Sequence, residues 1–211
     1  MIKPKVKICG ITNLEDARFA AGAFVDFLGF IFYEKSPRFI DPAKAGAMLN
    51  WIEGPKKVGV FVNQPWQEVN QIAKETGLDY VQLHGNESID YCQQIEKPII
   101  KAIPVSREIS ALDLKSATAL YSQLAEYYLF DTKLGADWGG TGQTFDWKLL
   151  EEISVDKPFF LAGGITPENA VHAINNVHPF AIDVNSGVEE KPGLKDFEKI
   201  EQLMENIQNE N

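Results

Sequence analysis

The chain has little of several things, and each shortage narrows its class. Its 211 residues contain only two cysteines, Cys9 and Cys92. They form no C-x-x-C pair and cannot build a disulfide framework, so a reducing, cytoplasmic setting is expected. No window approaches the roughly eighteen uninterrupted apolar residues of a membrane span. Even the greasy FVDFLGFIF carries Asp26. The start, MIKPKVKICG, holds too short an apolar run for a secretory signal. Basic residues are outnumbered, 20 Lys and Arg against 30 Asp and Glu, giving a formal charge of -10. That balance excludes the broad basic face nucleic acid requires. It does not exclude an anionic small ligand, because backbone N–H groups act within hydrogen-bond reach while distant carboxylates are screened. The three histidines, His84, His172 and His178, fall on different elements, so no metal site is expected.

Apolar sequence is plentiful at 45%, enough to bury a core without staples. Strand-like runs recur from end to end: KVKICG, FVDFLGFIF, KVGVFV, YVQLHG, PIIKAIPV, YYLFDT, PFFLAGGI and FAIDVNSG. Helix-like stretches lie between them, including TNLEDARFAAGA, DPAKAGAMLNWI, PWQEVNQIAKETG, ESIDYCQQIE and TPENAVHAINNV, the last with Thr166 and Pro167 placed as N-cap and first helical residue. Strand followed by helix, repeatedly, means parallel strands, and near-continuous apolar strands mean a sheet covered on both faces. Eight such units predict a single-domain (β/α)₈ barrel over residues 1–211, at roughly 26 residues per unit. An open doubly wound sheet is the rival architecture. The tail EKIEQLMENIQNEN reads as a closing helix fraying into polar residues.

In a parallel barrel, chemistry gathers at the C-terminal ends of the strands. Cys9 ends the first run. A free cysteine is commonly a core residue. A core cysteine, however, needs no glycine after it, whereas a base that must touch substrate benefits from Gly10 keeping the wall open. Its thiolate would need stabilising, since an unperturbed thiol ionises at about 8.5. Asp131 ends an aromatic run, where an unpaired carboxylate is costly. It reads either as a cap or salt bridge, with Lys133 as partner, or as a general acid that desolvation keeps protonated. Two glycine-bearing pairs, Gly163 with Gly164 and Ser186 with Gly187, follow the seventh and eighth strands, where barrels commonly hold a phosphate. DWGGTGQTFDW is too long and glycine-rich for a minimal turn and lacks a nucleotide P-loop ending. It reads as a lid that brings Thr141 toward substrate. Arg38, in EKSPRFI, has a fork suited to a carboxylate. His84 is a substrate donor or a packed imidazole, Lys7 an inward polar residue or a barrel-floor salt bridge, and Cys92 a structural residue.

KICGIT, GFIFYEKSPR, VQLHG, FDT, GGTGQTFDW, LAGGITPENA and DVNSGVE, in this order, resemble the phosphoribosylanthranilate isomerase family over Lys7 to about Glu189. The resemblance implies a (β/α)₈ barrel that converts N-(5-phosphoribosyl)anthranilate into 1-(2-carboxyphenylamino)-1-deoxyribulose 5-phosphate in tryptophan biosynthesis. It implies Cys9 as general base and Asp131 as general acid, and Arg38 on the anthranilate carboxylate. The late loops bearing Gly163, Gly164, Ser186 and Gly187 match the family's phosphate site, and Asp183 matches an active-site aspartate. The position after GGTG, often lysine in relatives, is Gln143 here, a departure that touches only a peripheral contact. No metal or cofactor is implied, because the substrate's own nitrogen is the electron sink. The implied partner is a phosphorylated small molecule, with the chain a monomer or homodimer. Other phosphosugar barrels fit less well. An indole-glycerol-phosphate synthase would centre on lysine, and phosphoribosyl-imidazole isomerases on paired aspartates, where this chain offers Cys9. A barrel that binds a phosphosugar without turning it over is the remaining alternative.

Overall fold

The computed structural model describes residues 3–106, 108–132, 147–153 and 155–209. Eight strands pair in chain order: β1 Lys5–Ile8, β2 Phe27–Ile31, β3 Lys56–Phe61, β4 Tyr80–Leu83, β5 Ile99–Val105, β6 Ala125–Thr132, β7 Phe159–Leu161 and β8 Ala181–Val184. All neighbours are parallel, and β8 returns to β1 with Lys7 beside Asp183, so the barrel is closed. Each strand coincides with one of the apolar runs read from the sequence, β3 and β6 beginning one and two residues before theirs. The open-sheet alternative is thereby excluded.

The connecting helices are α1 Leu14–Gly22, α2 Pro42–Leu49, α3 Trp66–Glu75, α4 Ile89–Cys92, α5 Ala111–Tyr121, α6 Lys148–Ile153, α7 Ala170–Val177 and α8 Phe197–Gln208. Five of them start with capping chemistry, in which a short polar side chain accepts an orphan backbone N–H. Asn13 accepts from Asp16 N at 2.8 Å, and Asp41, followed by Pro42, accepts from Ala43 N and Lys44 N. Ser88, Ser110 and Asp196 do the same for α4, α5 and α8. Thr166 does not cap α7. Its carbonyl accepts from Asn169 N and Ala170 N, while Asn169 Oδ1 accepts from Thr166 N. The Thr166–Asn169 turn therefore delays the regular helix by one turn. Cys92 is buried in α4, as expected of a structural thiol, and burial pushes it up to about 11. Among the described residues no helix is long and apolar enough to cross a membrane.

Side chains alternate along each strand, so every second residue enters the lumen. The outward set, including Val6, Ile8, Leu28, Phe30, Phe61, Val81, Phe130 and Ile182, packs under the helices as the main core. The inward set forms a second cluster, Phe27, Val58, Ile100, Ala102, Leu129, Phe160, Ala162 and Ala181. At its N-terminal end Phe27, Tyr80, Tyr127, Phe160 and Phe180 meet edge to face or stacked, with centroids 4.9 to 6.4 Å apart. These rings plug the floor and leave chemistry to the mouth.

After β8 comes a feature the sequence did not announce. A 3₁₀ turn, Ser186–Val188, leads into an antiparallel hairpin of β9 Glu189–Lys191 and β10 Leu194–Lys195. It carries two buried charges, Glu189 and Lys195, toward the mouth.

Candidate active site

The mouth holds a cavity of about 690 Å³. Its wall includes Cys9, Arg38, Gln82, His84, Asp131 and Asp183, together with Gly163, Gly164 and Ser186. A second groove, of about 610 Å³, runs along the outside of α3 between Trp66 and Glu96, away from all of these groups. The predicted residues thus converge in one place, with two exceptions. Gly187 sits behind the wall, and Thr141 lies outside the described residues, as do Lys133 and the rest of the GGTGQ stretch.

Cys9 follows β1 in the same inward phase as Lys7, and only 5% of it is exposed. Room for its sulfur comes from Gly29, on neighbouring β2. A Cβ there would stand 2.6 Å from Cys9 Sγ, too close for any other residue. A glycine inside a strand signals such a close approach, a clue that the sequence reading left unused at Gly29. Gly10 has φ +75°, a conformation that favours glycine. A Cβ on it would also lie 2.8 Å from Arg38 Cδ, so the glycine lets Arg38 close over the first strand.

Lys7 is fully buried, and its ammonium donates to Asp183 Oδ2 at 2.8 Å and to Gln82 Oε1 at 2.9 Å. It is neither exposed nor part of the floor. It lies one inward layer above the aromatic plug, bonded on both sides and interacting with Cys9. Burial pulls the Lys7 ammonium down, but Asp183 and Cys9 outweigh it and the net displacement is upward. For Cys9, burial pushes the thiol up and Asp183 adds to this, while Lys7 and Lys195 pull it down, leaving it raised. The resting pair is therefore a charged lysine beside a neutral thiol. Asp183 Oδ1 is buried and, among the described residues, has no hydrogen-bond partner. An acceptor left unpaired in a cavity wall is costly unless a ligand donor completes it.

On the opposite side, Gln82 Nε2 lies 3.0 Å from His84 Nδ1, and His84 Nε2 lies 3.3 Å from Asp131 Oδ2. Asp131 is therefore neither a helix cap nor part of a described lysine bridge. It faces an imidazole across the cavity.

Arg38 is held by the hairpin. Its Nε and Nη2 donate to the Glu189 carboxylate at 2.7 to 3.1 Å, and Lys195 donates to the same group at 3.0 Å and to Asn185 Oδ1 at 3.1 Å. Burial alone would raise Glu189, but the Arg38 and Lys195 bonds prevail and hold it below its ordinary value. Glu189 fixes the plane of the guanidinium, a role sequence reasoning missed along with those of Asn185 and Lys195. Gly163, Gly164 and Gly187 behave as backbone devices. Gly163 and Gly164 have φ of +86° and +67°. A Cβ on Gly187 would run into the Ile165 carbonyl, so only glycine lets the loops after β7 and β8 meet. Among the described residues, no group of three His, Cys, Asp or Glu side chains is arranged to hold a metal ion.

Comparison with known proteins gives one consistent result. The family model described as N-(5'phosphoribosyl)anthranilate (PRA) isomerase matches residues 6–206. The N-(5'-phosphoribosyl)anthranilate isomerase of Trichlorobacter lovleyi is 42% identical over 208 residues, covering 96% of this chain and 97% of its own. The crystal structure of phosphoribosyl anthranilate isomerase from Thermotoga maritima superposes with a TM-score of 0.88 at 40% identity, covering 97% of this chain and 98% of that one. A phosphoribosyl anthranilate isomerase in complex with reduced 1-(o-carboxyphenylamino)-1-deoxyribulose 5-phosphate superposes at 0.85 with 38% identity, covering 97% and 98%. With the barrel, the strand-end residues and the whole-length match in agreement, this chain belongs to the N-(5'-phosphoribosyl)anthranilate isomerase family.

Proposed function

We propose that this chain catalyses the Amadori rearrangement of N-(5-phosphoribosyl)anthranilate to 1-(2-carboxyphenylamino)-1-deoxyribulose 5-phosphate, a step of tryptophan biosynthesis, in the cytoplasm. The observation that carries the reading is the placing of a thiol and a carboxyl, Cys9 after β1 and Asp131 on β6, in the wall of one cavity. Two strands separate them around the barrel on one side and four on the other. A sugar held between them presents one face to each.

Asp131, protonated, donates to the ribose ring oxygen, and the C1′–O4′ bond breaks to leave an iminium on the anthranilate nitrogen. The iminium acidifies the hydrogen on C2′. Cys9, as thiolate, removes it, and the electron pair moves into C1′=C2′ while the nitrogen regains neutrality. The resulting enolamine tautomerises to the ketone. The substrate nitrogen accepts the electrons throughout, so no cofactor enters these steps. Arg38, set by Glu189, takes the anthranilate carboxylate, while backbone donors around Gly163, Gly164, Ser186 and Gly187 take the phosphate. His84, Asp183 and Thr141 contact the sugar between these anchors. Holding both ends positions the sugar against acid and base, an effect worth on the order of 7 kcal/mol or more in good cases.

The chain works as a monomer or a homodimer. Phe24 and Trp51, 82% and 67% exposed on the connections into β2 and β3, favour the dimer, and light scattering across a concentration series decides it. For the reaction, the test is the fluorescence decay of freshly formed phosphoribosylanthranilate with wild type, Cys9→Ala and Asp131→Asn. Rapid loss in the wild type alone supports the assignment. Tight binding without turnover in the wild type would return the chain to a binding role.

A further inference from the structure

We propose that Gln82 is a positioning residue that locks His84 in its neutral Nε2–H tautomer, so that the group facing Asp131 is an uncharged donor. The inference rests on the assignment of Asp131 as acid, but its geometric half stands apart from it.

Lys7 Nζ has hydrogens to give and no lone pair to offer. It is fully buried and lies 2.9 Å from Gln82, so the group Gln82 presents to it must be the carbonyl, Oε1. The amide NH₂ then points the other way, to His84 Nδ1 at 3.0 Å. That nitrogen must accept, and a neutral imidazole accepting at Nδ1 carries its hydrogen on Nε2. Nε2 is the atom that faces Asp131 Oδ2 at 3.3 Å. Rotating the Gln82 amide to suit a different tautomer would set an NH₂ group against the buried ammonium of Lys7. Gln82 is itself only 1% exposed, so water cannot mend the mismatch.

Among the described residues, His84 has no other partner that would reverse this order. From β4 it meets Gln82, and from β6 Asp131. Lys7 of β1 and Asp183 of β8 stand behind Gln82 and act through it. Lys101 of β5 is turned to the carbonyls of Leu83 and Gly85 and to the Glu87 carboxylate. Arg38 lines the same cavity but is held by Glu189. An imidazolium at His84 would place Nδ1–H against the Gln82 NH₂, two donors face to face. Gln82 thus keeps a cation away from Asp131, the group assigned to donate the proton. Lys7 accordingly serves both sides of the site: it sits beside Cys9 and, through one amide, orders the group beside Asp131.

The test is long-range ¹H–¹⁵N NMR of ¹⁵N-histidine-labelled protein at neutral pH, with His84 assigned by its loss in His84→Asn. Wild type should show a pyridine-like Nδ1 and a pyrrole-like Nε2. Gln82→Glu replaces the NH₂ with a carboxylate oxygen, so Nδ1 should become protonated. The same variant should lose about 10- to 100-fold in kcat with KM changed less than threefold, as expected of a misoriented rather than absent group. A wild-type Nδ1–H tautomer or imidazolium overturns the proposal without recourse to any variant. So does a Gln82→Glu enzyme that switches tautomer yet keeps its kcat. If the tautomers behave as stated but the wild type does not turn over phosphoribosylanthranilate, the proposed reaction fails, and with it the catalytic half of this inference.

Discussion

The two ends of the barrel are built on one backbone rule and opposite chemistry. Following the inward positions upward, Tyr80 gives way to Gln82 and then His84, Tyr127 to Leu129 and Asp131, and Phe27 to Gly29. Two to four residues of rise, about 7 to 13 Å, lead from an aromatic plug to a polar network. The floor gains from burial and ring contacts. The mouth buries Lys7, Asp183, Glu189 and Lys195, whose desolvation ion pairing offsets without a clear profit in stability. The contrast teaches where each kind of constraint lives: the floor holds the barrel closed, and the mouth accepts a cost in stability to orient groups for a reaction.

Substitutions at the two ends should therefore separate. At the mouth, Cys9→Ser and Asp131→Asn should each abolish measurable turnover, a loss of about 10²- to 10⁴-fold or more, while far-UV circular dichroism and Tm stay near wild type. At the floor, Phe160→Ala should do the reverse, lowering the unfolding free energy by about 3–5 kcal/mol in urea titration with kcat preserved while the protein is folded. Either variant moving both quantities equally would erase the distinction.

Lys7→Met probes the layer between. Removing the cation leaves Asp183 buried and unpaired, at a cost of about 3–5 kcal/mol. It also removes an influence that pulls the Cys9 thiol down, so the thiol rises further. Because the thiolate is the active form, the acid limb of kcat/KM should move to higher pH, with activity at pH 7 reduced and regained in alkaline buffer. An unshifted limb would detach Lys7 from the base. The smallest effect is expected at Arg38. Arg38→Ala should raise KM about tenfold, near 1.4 kcal/mol, through loss of the carboxylate contact, with kcat changed little.

Much of this was legible in the sequence, for identifiable reasons. Near-continuous apolar runs alternating with helical stretches marked all eight strands, and a strand's last residue before a glycine, as at Cys9, announced the mouth. The pairings were not legible. Lys7 meets Asp183 across 176 residues and Arg38 meets Glu189 across 151, contacts fixed only when the barrel closes. The hairpin of β9 and β10 is short and charged, without the alternation that identifies a strand. Thr166 misled because its Thr-Pro pair has the look of a helix start, whereas the chain first makes a turn tied to Asn169. The importance of Gln82 follows from which of its two ends meets a lysine, a fact that belongs to tertiary structure.

The measurement that bears most directly on the central claim is the pH dependence of phosphoribosylanthranilate turnover in wild type beside Cys9→Ala. Rapid loss of substrate fluorescence is expected in the wild type, rising with pH as the buried thiol ionises, and none above background in the variant. Full activity in Cys9→Ala, or a wild-type rate indifferent to the state of that thiol, would contradict it.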